Sequence, residues 1–293
     1  HGMGDALYDQ VLEQAGVAVR IYAPVGNHKD LLPYLVRRLL ENGANSSFVH
    51  RLVDARCPIS DLVEHPWQTL NKRDPLHNPR IPLPRHIYGD KRLNSRGPNI
   101  DISAEWQPFS ADIQRWLSHQ WQGGPIINGR RLTTGTEIQV KAPYDHRISA
   151  GQVHFADSTC VEQAIAAAQD GVQSWQQTPV GVRTQALMRL GDLLEEHLAE
   201  LVALCHQEAG KTIQDGIDEV REAVDFCRYY SLQADQLFSS PLERTLTDGS
   251  HCRMIRNGRG VFVCISPWNF PLAIFLGQIT AALAAGNTVI AKP

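Results

Sequence analysis

Apolar side chains recur at helical spacing over roughly Gly4 to Gln14, so the chain opens on a helix. The pattern then changes. VAVRIYAP, residues 17–24, alternates and is rich in β-branched side chains, which reads as a buried strand. Pro24, Gly26 and Asn27 mark a loop after it. Helical spacing returns in LLPYLVRRLLENG, where Asp30 is placed as the cap, Pro33 falls in the first turn and Gly43 at the far end. Helix, strand, loop and helix make one and a half repeats of a parallel α/β architecture. A closed eight-stranded barrel takes about 250 residues, so most of any such barrel would precede His1.

Residues 51–124 lose this periodicity. Pro58, Pro66, Pro75, Pro79, Pro82, Pro84, Pro98 and Pro108 break any long element, and NPRIPLPR favours extended or polyproline-like backbone. A helix is expected again between Asp101 and Trp121. Trp67, Ile81, Leu83, Ile87, Tyr88, Trp106 and Trp116 offer anchors, which makes the stretch an ordered connector rather than a flexible linker. From 125 to 293 a second globular unit begins. PIINGRRL, EIQVKAP and SAGQVHFA read as short strands. Ser158 opens a capped helical run, and helical spacing continues from Arg183 to Gly210 and from Ile213 to about Leu237. GVFVCISP reads as a buried strand, PLAIFLGQITAALAAG as a small-residue helix and NTVIAK as the next strand. That order implies a parallel pair with a crossover helix.

Composition narrows the class. With 43 % apolar and 20 % charged residues the chain can build a sizeable core, which excludes disorder of the whole. Twenty-eight Lys and Arg against 31 Asp and Glu give a net charge of −3, which suggests neither a nucleic-acid platform nor a polybasic membrane patch. The longest apolar stretch, Val261 to Ala285, is interrupted by Pro267, Asn269, Pro271 and Gln278 and is no membrane span. Six cysteines without a C-x-x-C pair point to a reducing, cytoplasmic setting. Twelve histidines show no H-E-x-x-H or comparable spacing, so no metal is expected. Both ends look cut: His1 enters structure without a start signal, and NTVIAKP stops while a strand is being completed. The expectation is an internal piece of a longer polypeptide.

Two constellations could carry chemistry. In the first, Tyr34, Arg37, Arg38 and Glu41 are three or four residues apart on one helix, with Tyr22 on the preceding strand. Two guanidiniums offer planar forks to a carboxylate, and Glu41 can hold one of them. The plainer alternative is a solvated helix face laced with weak ion pairs. RIYAPVG followed by DLLPYLVRRLLENGANSSFV resembles the last strand and helix of the proline dehydrogenase barrel in the bacterial proline utilization A family. That resemblance covers residues 1–50 and implies that Arg37 and Arg38 bind the proline carboxylate. It implies that Tyr34 and Tyr22 line the pocket over a flavin (FAD), that Glu41 holds the arginine pair, and that Phe48 approaches the flavin nucleotide.

The second constellation is ISPWNFPL followed by AGNTVIAKP. Pro267 and Pro271 stiffen a strand-to-helix passage with Asn269 at its turn. A side-chain amide beside helix N–H groups can donate to a developing oxyanion, but Asn here could equally be a helix N-cap. PWNFP, AKP and EAGKT at Glu208 to Thr212 resemble the N-terminal, cofactor-binding half of the aldehyde dehydrogenase superfamily, from about Pro125 to Pro293. The resemblance implies that Asn269 forms the oxyanion hole and Phe270 lines the aldehyde tunnel. It further implies that Ile265, Ser266, Pro267 and Trp268 border NAD and that Lys292 contacts its adenosine ribose. Glu222 could face the substrate, although a structural pairing of Arg221 with Asp225 nearby offers a plainer reading. The superfamily's catalytic cysteine and general-base glutamate lie beyond AKP. Cys264, Cys205 and Cys227 sit in apolar stretches and read as packed thiols.

The order of the two matches resembles the bifunctional proline utilization A family. The fold class implied is α/β. Residues 1–50 would end a (β/α)8 proline dehydrogenase barrel, 51–124 would form a proline-rich connector, and 125–293 would begin a Rossmann-like parallel-sheet aldehyde dehydrogenase domain. The activity implied is FAD-dependent oxidation of proline to pyrroline-5-carboxylate, then NAD-dependent oxidation of glutamate semialdehyde to glutamate. The connector would help enclose a passage for the intermediate. The resemblance also implies a homo-oligomer, a quinone electron acceptor with peripheral membrane contact, and DNA as a partner if an upstream domain exists. The rivals are a non-catalytic scaffold fragment, inert alone, and a stand-alone aldehyde dehydrogenase with an unusual leader.

Overall fold

The computed structural model describes residues 5–15, 25–42, 52 and 54–293, which fall into two compact units, His1–Ile81 and Pro82–Pro293. In the first unit, helix α1 spans Asp5–Ala15, as its apolar spacing predicts. The strand expected at 17–24 lies outside the described residues. Helix α2 spans His28–Asn42 and starts earlier than an Asp30 cap would allow. The Asn27 carbonyl accepts the N–H groups of both Asp30 and Leu31 at 3.0 Å, which puts Asp30 inside the first turn. There its carboxylate still complements the positive end of the helix. Pro33 therefore falls in the second turn. Two short helices follow, α3 at Ile59–Val63 and α4 at Pro66–Asn71. They contain no buried residue and are tied locally: Glu64 accepts from Thr69 at 3.1 Å and pairs with Lys72. At Asn78 an Asx turn, closed by Arg80 N–H on Oδ1 at 3.0 Å, interrupts the extended backbone expected of NPRIPLPR.

In the second unit Leu83 is polyproline-like (φ −61°, ψ 151°) before a single turn at Pro84–His86. Of the seven expected anchors, Trp67, Ile81, Leu83, Ile87 and Tyr88 are exposed, while Trp106 and Trp116 are half-buried. Helix α5, Ser103–Trp116, is shorter than expected because Trp121–Gly123 is recruited as strand β1. The Trp121 indole N–H donates to buried Gln207 at 3.2 Å, and the ring stacks on Trp116 at 5.7 Å. Strands β2 (Ile126–Ile127) and β3 (Arg130–Arg131) form a hairpin across Asn128-Gly129, whose φ angles of 50° and 73° give the turn its left-handed twist. Strands β4 (Glu137–Ala142) and β5 (Asp145–His154) pair antiparallel, and β1 joins the other edge of β5 in parallel.

Helix α6, Ser158–Gln177, is capped by Asp157, whose carboxylate accepts Cys160 N–H at 2.8 Å. The helical run expected from Arg183 to Gly210 is two helices, α7 (Val180–Glu196) and α8 (Leu198–Ala209), broken at His197. Helix α9 is Ile213–Phe238. A small hairpin, β6 (Leu242–Thr245) with β7 (His251–Met254), has no strong hydrophobic signal and was not expected. Strand β8 (Val261–Ile265), helix α10 (Ala273–Ala284) and strand β9 (Thr288–Lys292) complete the chain, with β8 and β9 parallel across the crossover helix. That is the topology the sequence order implies. Strand β8 is not buried as expected, however. Cys264 is, but Phe262, Val263 and Ile265 are exposed, and among the described residues β9 is the strand's one ladder partner.

The core is the stripe of α9 at 217, 220, 223, 224 and 227, every member 0–1 % exposed, packed on Val202, Ala203, Ile113 and Leu194. The spacing is that of one helix face. Gly216 lets α8 approach, since a Cβ there would stand 3.1 Å from Val202. Polar groups then fasten the connector to this core. Arg228, 3 % exposed, reaches Glu195 at 2.8 Å and Asp192 at 3.1 Å. Glu195 also accepts Arg96 N–H at 2.8 Å, and Asp225 accepts the N–H and hydroxyl of Ser95 at 3.0 and 2.7 Å.

Removing one member of such a buried pair leaves the other without its partner. Arg228→Ala is expected to lower unfolding free energy by about 3 kcal/mol in urea titration. A loss below about 1 kcal/mol would show that Ser95 and Arg96 hold the connector without it.

Candidate active site

The two constellations lie in different units and are described separately. In the first, Tyr34 and positions 37, 38 and 41 belong to the continuous helix α2, so their three-and-four spacing is realised in the backbone. Tyr34 is half-buried. The side chains of Arg37, Arg38 and Glu41, and residues Tyr22 and Phe48, lie outside the described residues.

The second is built on the turn between β8 and α10. Upstream it is held by the ladder, where Ser266 N–H donates to the Lys292 carbonyl at 3.1 Å. Pro267 and Pro271 restrict the backbone between, and Phe270 N–H donates to the Pro267 carbonyl at 3.4 Å. Downstream, the first N–H groups of α10 are not capped by Asn269. Leu272 occupies the cap position without a side-chain bond of its own, and Leu272 and Ala273 both donate to Glu219 Oε1, at 3.0 and 2.8 Å. The cap reading of Asn269 is thereby overturned. Asn269 itself is exposed.

Glu219 comes from α9 and is 1 % exposed at its side chain. Its second oxygen pairs with Lys211 Nζ at 2.8 Å. Lys211 is aimed there by the end of α8. Gly210 takes a left-handed conformation (φ 67°), and Lys211 N–H closes back on the Cys205 carbonyl at 3.3 Å. The ammonium also lies 4.9 Å from the centre of the Phe270 ring, a cation–π contact. EAGKT and PWNFP, 50-odd positions apart in sequence, therefore meet through one carboxylate and one ammonium. Neither Lys211 nor Glu219 was singled out from the sequence. The signal was present, because Glu219 falls beside the apolar stripe of α9, where an acid needs a built partner.

Glu222 sits one turn further along α9 and is exposed, with its carboxyl shifted upward by partial burial and by Glu219, against the pull of Lys211. The plainer pairing expected beside it does not form. Arg221 approaches Asp218 at 3.8 Å, while Asp225 is occupied by Ser95. Ile265 and Trp268 are exposed, Trp268 at 86 %, and Pro267 and Phe270 are half-buried. Lys292 is exposed and its ammonium donates to the Pro293 carbonyl at 2.6 Å. Ser266 is 8 % exposed and its hydroxyl has no hydrogen-bond partner. It stands at the carboxyl end of a parallel strand, where open α/β sheets bind ligands. Among the described residues no group of three or more His, Cys, Asp or Glu is placed to hold a metal.

Comparison with known proteins follows the same division. Residues 131–293 match the model of the aldehyde dehydrogenase family and residues 1–51 that of proline dehydrogenase. The whole chain is 41 % identical to part of the bifunctional protein PutA of Salmonella typhimurium, and spans 22 % of its length. A 1-pyrroline-5-carboxylate dehydrogenase of Bacillus thuringiensis is 32 % identical over 67 % of the chain, which spans 38 % of that protein. A crystal structure of proline utilization A (PutA) from Bradyrhizobium japonicum superposes over the whole chain with a TM-score of 0.65 at 42 % identity, and the chain covers 26 % of it.

The thiols of this site region are packed rather than reactive. Burial, with Glu219 adding to it, pushes Cys205 up to about 12, and burial pushes Cys227 up to about 12 and Cys264 upward. Cys252 is exposed. Mapping by mass spectrometry after brief iodoacetamide treatment at pH 8 is expected to show Cys252 alkylated roughly 100-fold faster than Cys205 or Cys227, since the thiolate is the nucleophile. Equal labelling of Cys227 in the native chain would contradict this.

Proposed function

The chain belongs to the aldehyde dehydrogenase family, and from that premise we propose that it contributes parts of two linked sites, one oxidising proline and one oxidising glutamate semialdehyde. The observation that carries the reading is the succession, on one chain, of a proline dehydrogenase match and an aldehyde dehydrogenase match, with the turn at Asn269 built as described. In this reading residues 1–50 close the proline site, 51–124 connect, and 125–293 begin the aldehyde site.

At the proline site Arg37 and Arg38 grip the substrate carboxylate, Glu41 steadies the pair, and Tyr34 and Tyr22 wall the pocket. FAD, approached by Phe48, supplies an acceptor for the hydride lost as proline becomes pyrroline-5-carboxylate. Water opens that ring to glutamate semialdehyde. At the second site Phe270 lines the aldehyde's path and Glu222 faces its polar end. The Asn269 amide donates to the oxyanion that forms when a cysteine thiolate adds to the carbonyl. The residues present fit NAD: Ile265, Ser266, Pro267 and Trp268 follow one another at the carboxyl end of β8, where open α/β sheets bind ligands, Ser266 offers a buried hydroxyl lacking a partner, and Lys292 lies across the ladder. NAD supplies the acceptor for the second hydride, and hydrolysis then releases glutamate. A cytoplasmic setting, a homo-oligomer and electron delivery to a quinone at a membrane surface belong to the same reading. Among the described residues no helix is long and apolar enough to cross a membrane.

The two sites make separable predictions in the whole gene product. Asn269→Ala is expected to lower kcat for NADH formation from pyrroline-5-carboxylate by about 100- to 1,000-fold and to leave dye reduction by proline intact. Arg37→Met is expected to raise KM for proline by about 10- to 100-fold with the aldehyde activity intact. Loss of neither activity in its own variant would refute the assignment.

A further inference from the structure

We propose that Lys211 and Glu219 are positioning residues for aldehyde oxidation, an inference that rests on the reading above. A helix N-terminus can be capped cheaply by a neighbouring Ser or Asn. Here it is capped instead by a fully buried carboxylate from a different helix, which costs several kcal/mol of desolvation unless each oxygen is satisfied. Both oxygens are. Oε1 takes the N–H groups of Leu272 and Ala273, and Oε2 takes the Lys211 ammonium at 2.8 Å.

The arrangement pins the turn at both ends. Upstream, Ser266 is fixed to Lys292 in the ladder; downstream, Leu272 and Ala273 are fixed to Glu219. The residues between them, 267–271, include two prolines and carry Asn269 and Phe270. Lys211 adds a third restraint, since its ammonium lies over the Phe270 ring at 4.9 Å. The ammonium is itself fixed by the left-handed Gly210 cap and by His206 Nδ1 bonding to the Lys211 carbonyl at 2.8 Å. The pair thus transmits the position of the α8–α9 core to the one amide that must meet a developing negative charge. A displacement of about 1 Å at such a donor costs on the order of 100-fold in rate.

Two measurements test this. The first is hydrogen exchange on the chain itself. Glu219→Ala is expected to speed exchange at the Leu272 and Ala273 amides at least tenfold while Thr280 and Ala282, in the body of α10, stay protected. If the alanine variant fails to fold, Glu219→Gln, which keeps an acceptor but loses the ion pair, is expected to show a smaller rise at the same two amides. Unchanged exchange at both would overturn the proposal. The second is kinetic, in the whole gene product. Lys211→Met is expected to lower kcat for the aldehyde at least tenfold while the Kd for NAD measured by equilibrium binding stays within twofold, with Lys211→Arg recovering part of the loss. A kcat within twofold of the unsubstituted enzyme, or an equal loss in both quantities, would overturn it. Absence of aldehyde oxidation in the unsubstituted gene product would sink the functional reading instead, and exchange at 272 and 273 would still show whether the carboxylate holds the turn.

Discussion

A carboxylate with almost no contact with solvent, Glu219, is where three helices of the second unit are brought to one point. It lies on the buried face of α9 beside Val220 and Ala223, so its charge must be met by donors supplied from elsewhere. The start of α10 provides two amides and the end of α8 provides an ammonium. The helix macrodipole favours the anion at that end, so hydrogen bonding and the field of α10 act in the same direction. Register among α8, α9 and α10 is set by this contact in a way that non-directional apolar packing cannot achieve.

The same device recurs. Arg183, 4 % exposed, has no carboxylate partner among the described residues and donates to the carbonyls of Ala284 and Thr178, at the ends of α10 and α6. Arg228 ties α7 and α9 to the segment at Asn94–Arg96. Each buried charge joins segments far apart in sequence, and each is met by helix termini or opposite charge. Arg183 meets the far end of α10, and Glu219 meets the end that follows the turn bearing Asn269. The strands beside it remain open: β8 shows Val263 and Ile265 to solvent at over 60 %.

Much of this was legible in advance. Periodicity located the long helices of the described residues, though not the break at His197, and the order of strand, small-residue helix and strand gave the β8–α10–β9 crossover, because those signals are local. Three local readings failed at helix ends and pairs. Asp30 looked like a cap since Asp is a good one, but the carbonyl of Asn27 begins the helix. Asn269 looked capable of capping since it sits near a helix start, but Glu219 holds that place from 50 residues away. Arg221 and Asp225 have the spacing of a helical pair, but Ser95, more than a hundred residues upstream, takes the aspartate. At Asn269 and Asp225 a partner distant in sequence displaced a local one, and local spacing carries no record of it, whereas at Asp30 the competitor was a carbonyl three residues away. Glu219 alone left a trace, as an acid beside an apolar stripe.

The joint operation of two oxidations is the claim on which the functional account stands. It is tested most directly by supplying the whole gene product with proline, an electron acceptor and NAD, and counting products by mass spectrometry and absorbance. The account predicts one glutamate and one NADH for each proline consumed. Pyrroline-5-carboxylate accumulating in full, with no NADH formed, would contradict it.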